Sequence, residues 1–426
     1  MTEIIGNFCD FLDNSKSFYH VADNVSQILL NQGFVRLEEN QPWQLRFGGK
    51  YFVDRNGSSV VAFRIPQENP HGFLMSACHC DRPSFMMKEN GELTGNYTRW
   101  ATERYGGMMI YPWLDRPLSV AGRALVETEN GVAWRLVDID RDIAMIPSVA
   151  IHQNRTINEG YQWNPAVDTI ALLGSDAVSG KLSTLLEEAA GGKILSHDLC
   201  LYVREKARVW GINEEYISAP GLDDLQCVWG CLQGFLKGEG SCNISVLSIF
   251  DSEEVGSNSP QGADGTLLSG VLARISRTLG LDHDCMLADS FMVSADNSHA
   301  VHPNHPQLSD SVNPVKLNGG VVVKFAATQN YTSDALSAAV FRKICAEAQV
   351  PVQTFYNRAD AKGGATLGHF SLNHVSVPSV DIGMAQLAMH SAYETAGVAD
   401  VAHLERAMTA YYNKTLTATD KGYTIA

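Results

Sequence analysis

Residues 243–250, NISVLSIF, form an apolar run too short for a typical helix and without the alternation of a strand that has one wet face, so they read as a strand buried on both sides. Runs of the same kind stand at 72–81 (GFLMSACHCD), 285–296 (CMLADSFMVSAD), 319–326 (GGVVVKFA) and 376–385 (SVPSVDIGMA). Helical patterns lie between them. Residues 4–34 carry apolar positions at helical spacing up to a break at Gly33, and LQCVWGCLQGFLKGEG ends on a glycine stop. Strands without a polar face, alternating with helices, require cover on both sides, which predicts an α/β sheet between helical layers.

Residues from about 90 to 210 break this pattern. They are rich in glycine, RALVETENGVAWRLVDID reads as a hairpin turning near Asn130-Gly131, and no strong helical period returns before SGKLSTLLEEAA. A chain of 426 residues is long enough for two or three domains. The expected division is a discontinuous catalytic domain, 1–88 with 211–426, and an inserted, largely β domain at 89–210.

The apolar run at 243–250 leads directly into Asp251, Glu253 and Glu254, and adjacent buried carboxylates repel unless a cation sits among them. His79, Asp223, Asp296 and His390 also fall at strand ends or in the turns that follow, the edge where open α/β sheets build their sites. Two imidazoles with three or four carboxylates suit borderline-hard divalent ions, and the set is too large for one tetrahedral zinc. Two ions are implied. Their charge is balanced by Asp223, Asp296, Glu254 and one hydroxide, which leaves Glu253 free as a base.

Other classes are excluded by charge and patterning. A net charge of −15 disfavours nucleic acid and anionic membranes as partners. The first residues lack a basic region and are interrupted by Glu3, Asp10 and Asp13, so no signal peptide is expected, and no apolar run approaches the ~18 residues of a membrane span. Nine scattered cysteines without paired zinc-type spacing suit a reducing, cytoplasmic setting, with Cys78, Cys80, Cys227 and Cys231 expected as buried thiols.

Seven segments then carry a resemblance: SACHCDRP, ERYGGMMIYPWLDRPLSVAGR, IPSVAIHQNRTINEG, SAPGLDDL, FDSEEVGSNSPQGA, VSADNSHAVHPNH and IGMAQLAMHS. In this order, over residues 10–420, they resemble the aspartyl aminopeptidase family of dinuclear zinc exopeptidases. The resemblance implies a zinc-exopeptidase-like α/β/α sandwich with a mixed, mostly parallel sheet and an inserted dimerisation domain. It implies two zinc ions per subunit, replaceable by manganese or cobalt, with His79 and Asp296 on one ion, Glu254 and His390 on the other, and Asp223 bridging. Glu253 would be the general base toward the bridging water, and Asp81 would orient His79. The substrate would be a peptide with N-terminal Asp or Glu, its side chain drawn to Lys324. His152 would reach the active site of a neighbouring subunit in a tetrahedral dodecamer built from dimers.

The chain departs from the family pattern at Arg82, Asp224, Asn330, His369 and Tyr393, which leaves a broader, neutral side-chain preference open beside the acidic one and keeps the ligand positions intact. His299, His302 and His305 follow Asp296 and are not assigned as ligands. Two alternatives to the aminopeptidase reading are a metal-dependent deacylase of N-acyl amino acids, which needs a cationic carboxylate clamp, and a non-catalytic shell that binds cargo peptides.

Overall fold

In the computed structural model, residues 2–68, 70–240, 242–361 and 363–426 are described. Nine strands form the main sheet, in the order Val35–Arg36, Lys50–Arg55, Ser59–Arg64, Ile244–Phe250, Phe73–His79, Phe291–Ala295, Ser379–Gly383, Val321–Phe325 and Val352–Tyr356. The four strands from Ile244–Phe250 to Ser379–Gly383 are parallel, so their carboxyl ends share one edge. Antiparallel pairings flank them on both sides.

Period-2 geometry explains the continuous apolar runs. Along Phe73–His79, Leu74 and Cys78 enter one core while Phe73, Met75 and Ala77 enter the other. The first core is closed by helices Thr2–Asn14, Phe18–Asn31, Leu222–Lys237, Ala335–Glu347 and Val398–Tyr412, and the second chiefly by Leu267–Leu279.

Two sequence expectations are corrected. The run at 285–296 is a strand only from Phe291; its first half belongs to the helix His283–Ala288, started by the Asp282 carboxylate, which accepts from Asp284 and Cys285 N–H. The opening helix is two helices, because Ser17 caps a new one and its hydroxyl accepts from His20 N–H.

A second, antiparallel sheet of six strands takes all its residues from Ser84 to Val203 and has its own core around Phe85, Trp113 and Leu199. The expected hairpin is present, with Thr128 opposite Gly131. A small five-stranded sheet pairs Ala219 with Glu394 and so brings the segment before Asp223 against the segment after His390. Among the described residues no helix is long and apolar enough to cross a membrane.

Candidate active site

The parallel strands deliver the site residues to one edge. Phe250 lies beside His79 in register, which sets the turn holding Glu253 and Glu254 next to the histidine, and Asp296 follows the strand Phe291–Ala295 on the other flank. Asp223 stands at the entry of the helix Leu222–Lys237 with non-helical backbone. Ser252 (φ 68°) and Gly256 (φ 96°) bracket the single turn Glu253–Val255.

Both histidines are oriented by main-chain carbonyls. His79 donates from Nδ1 to Asp81 O at 3.1 Å, and His390 donates from Nδ1 to Gly107 O at 2.5 Å. A carbonyl only accepts, so the proton sits on Nδ1 and Nε2 faces inward. There each Nε2 meets one oxygen of Asp223, His79 at 3.5 Å and His390 at 3.2 Å, with Glu254 Oε1 a further 3.4 Å from His390. Imidazole lone pairs and carboxylate oxygens facing one another need a proton or a metal ion between them.

Three overlapping groups meet that need: His79 with Asp223, Asp224 and Asp296; His79 with Glu253 and Glu254; and Asp223 with Glu254 and His390. In each, one potential ligand atom per residue lies within 4.8 Å of the others. Asp223 Oδ1 and Glu254 Oε1 are buried and have no hydrogen-bond donor among the described residues. Leaving such oxygens without a positive partner is costly, so the residues fit a bound cation.

Electrostatics point the same way. Burial raises the Asp223 carboxyl, but the His390 and His79 imidazoles that face its two oxygens outweigh it and hold it far below the usual range. Burial lowers the His390 imidazole, yet the hydrogen bond to Asp223 and the charge of Glu254 lift it to about 10. Glu253 is pushed up to about 8, mainly by burial. Without metal the cluster keeps protons that a dication displaces.

Asp81 does more than flank His79. Its carboxylate lies 3.4 Å from His79 Nδ1, while its two oxygens accept from Glu253 N–H and Glu254 N–H, each at 3.1 Å, and from the Tyr105 hydroxyl at 2.8 Å. It pins the turn that carries both glutamates.

A cavity of about 210 Å³ opens on this cluster. Glu253, His79, Asp223, Asp296 and His390 line it together with Tyr331, Phe355 and Asn357. Lys324 is the one lysine or arginine among its described lining residues; Nζ donates to Asp296 O at 2.6 Å and lies 3.7 Å from Asp296 Oδ2. His299 also lines the cavity, its ring perpendicular to that of Phe355.

His152 is not brought to this cluster. It is exposed, on the turn at 151–153. The rings of His302 and His305 lie 5.1 Å apart and tilted to each other, both exposed. Arg82, His369 and Tyr393 direct polar atoms to the carbonyls of Lys16, Gln329 and Lys206. Asp224 alone among the departures enters the cluster, where its Oδ2 accepts from His79 N–H at 3.3 Å.

Comparison with known proteins accounts for this arrangement. The family described as "Aminopeptidase I zinc metalloprotease (M18)" matches residues 11–412. A Clostridium novyi protein named "Probable M18 family aminopeptidase 2" is 40% identical over 420 residues, 95% of this chain and 97% of its own length. A chain in the "Cryo-EM structure of the Ape4 and Nbr1 complex" matches with a TM-score of 0.94 at 32% identity, covering 97% of this chain and 86% of that one. The "Structure of S. cerevesiae mApe1 dodecamer" shares the fold, with a TM-score of 0.83, 24% identity and coverage of 96% and 95%. With the family model spanning nearly the whole chain and a buried acid–histidine cluster able to hold metal, this chain belongs to the M18 family of zinc metalloproteases and is a metal-dependent aminopeptidase.

Proposed function

We propose that the enzyme carries two zinc ions per chain and removes N-terminal residues from peptides, with acidic ones preferred. His79 and Asp296 would hold one ion, Glu254 and His390 the other, with Asp223 shared. The observation that carries this reading is the position of Asp223, which presents one oxygen to each histidine and belongs to two of the three candidate ligand groups. When bound, zinc supplies Lewis acidity and makes water acidic enough to be deprotonated near neutral pH. Glu253 is the base: it lines the cavity, whereas Glu254 is not among the lining residues. A neighbouring cation lowers its raised pKa and leaves the carboxylate ready to accept a proton from the attacking water and return it to the leaving amine.

Lys324 is proposed to select the substrate. Its ammonium is 2% exposed and is the one Lys or Arg charge among the described lining residues, so it favours a carboxylate in the cavity. Lys324→Met is expected to reduce kcat/KM on Asp- or Glu-terminal peptides by about 1.5–3 kcal/mol, with a smaller loss on Leu-terminal ones. Since Lys324 also holds the Asp296 carbonyl, equal losses on both substrates would make it a structural residue.

We further propose that the β-rich insert, 89–210, assembles the chain into a homo-oligomer and that His152 completes a neighbour's site. Val149 and Ile151, beside His152, are 50% and 48% exposed, apolar surface that an interface would cover. The fold shared with a dodecameric chain makes a dodecamer the assembly to test. Separately, His152→Ala and Glu253→Gln chains should both be inactive. Mixed oligomers of the two should regain part of the activity; no recovery would mean His152 does not act across subunits.

A further inference from the structure

We propose that Glu394 is a positioning residue that sets the separation of Asp223 and His390, and through it the retention of the second of the two ions. This rests on the two-ion reading above. Glu394 opens the strand Glu394–Gly397 and is 2% exposed, yet it belongs to none of the candidate ligand groups of the described residues. Its two oxygens are used on two main-chain N–H groups: Oε2 accepts from Asp223 N–H at 3.0 Å and Oε1 from His390 N–H at 2.8 Å. These residues lie far apart in sequence and meet across Asp223 Oδ2 and His390 Nε2.

Both N–H groups need such an acceptor. Asp223 is in the first turn of its helix, where no carbonyl one turn back is available. His390 has φ 123°, a left-handed backbone that a histidine adopts only when its surroundings enforce it. One carboxylate, held against Asp223 by the pairing of Ala219 with Glu394, therefore fixes the main chain of both residues at once. Asp81 does the same for Glu253 and Glu254, so four residues of the site hang by their main chain on two buried carboxylates.

An amide separates this role from packing. Glutamine keeps the shape of Glu394 but accepts at a single oxygen, and its NH₂ opposes the remaining N–H. The test titrates zinc into metal-free wild type and Glu394→Gln against a chelating indicator, and records the melting temperature of both metal-free proteins. Wild type should take up two ions. In the variant one ion should keep its affinity within about threefold and the other should weaken by roughly 10–100-fold, the usual cost of losing an outer-shell partner. The metal-free melting temperature should change little. Unaltered affinity for both ions overturns the proposal, and so does equal weakening of both together with a lower melting temperature, which marks a general structural role. A wild-type chain that binds only one ion overturns the two-ion reading instead; Glu394 is then judged on that ion, and unchanged affinity in the variant rejects it.

Discussion

Replacing Glu253 by Gln is expected to lower turnover by on the order of 10²–10⁴ while both metal sites stay filled. The substitution keeps the volume and the main-chain N–H that Asp81 holds, and removes only the group that can accept a proton. Glu253 lines the cavity beside His79 and Asp296, so loss of the proton acceptor acts on the reacting water and not on binding. KM should stay near its wild-type value. Steady-state kinetics on an N-terminal Asp anilide, with elemental analysis of the same sample, provide the check. Near-normal turnover with full metal would remove Glu253 from the role of base.

Asp223→Ala should act on the other quantity, the metal content. Asp223 presents a separate oxygen to each histidine, so its loss takes a ligand from each proposed ion and leaves the two imidazoles without their common counter-charge. At least one ion should be lost or bound much more weakly, and activity should fall with it, because ligand and metal neutralise each other only together. The contrast between the two variants is the useful result: Glu253→Gln should be full and inactive, Asp223→Ala empty or half-empty and inactive. Two ions at wild-type affinity in Asp223→Ala would rule out a shared ligand.

The sheet and the edge that carries the site are legible in the sequence because buried strands leave continuous apolar runs, and three of the five runs lead into a histidine or an acid, at His79, Asp251 and Asp296. The β-rich character of 84–203 is legible from its glycines and hairpin pattern. What stays hidden is whatever depends on contacts between distant segments. Residues 285–288 look like the start of a strand until the Asp282 cap commits them to a helix. Glu394 gives no local signal: it is one more acid after HSAY, and its importance comes from two N–H groups that only the folded chain brings to it. Asp224 reads as a change of residue type, and only its burial beside His79 makes it a member of the cluster. Asp81 is legible as a neighbour of His79, but its hold on Glu253 and Glu254 crosses more than 170 residues of sequence.

The most direct test of the central claim is a zinc-edge anomalous diffraction map of the wild-type enzyme, which reports both the number of ions and their positions. Two peaks per chain are expected, one beside His79 and Asp296 and one beside Glu254 and His390, with Asp223 between them. A single peak, or two peaks of which one lies away from these residues, would contradict the account.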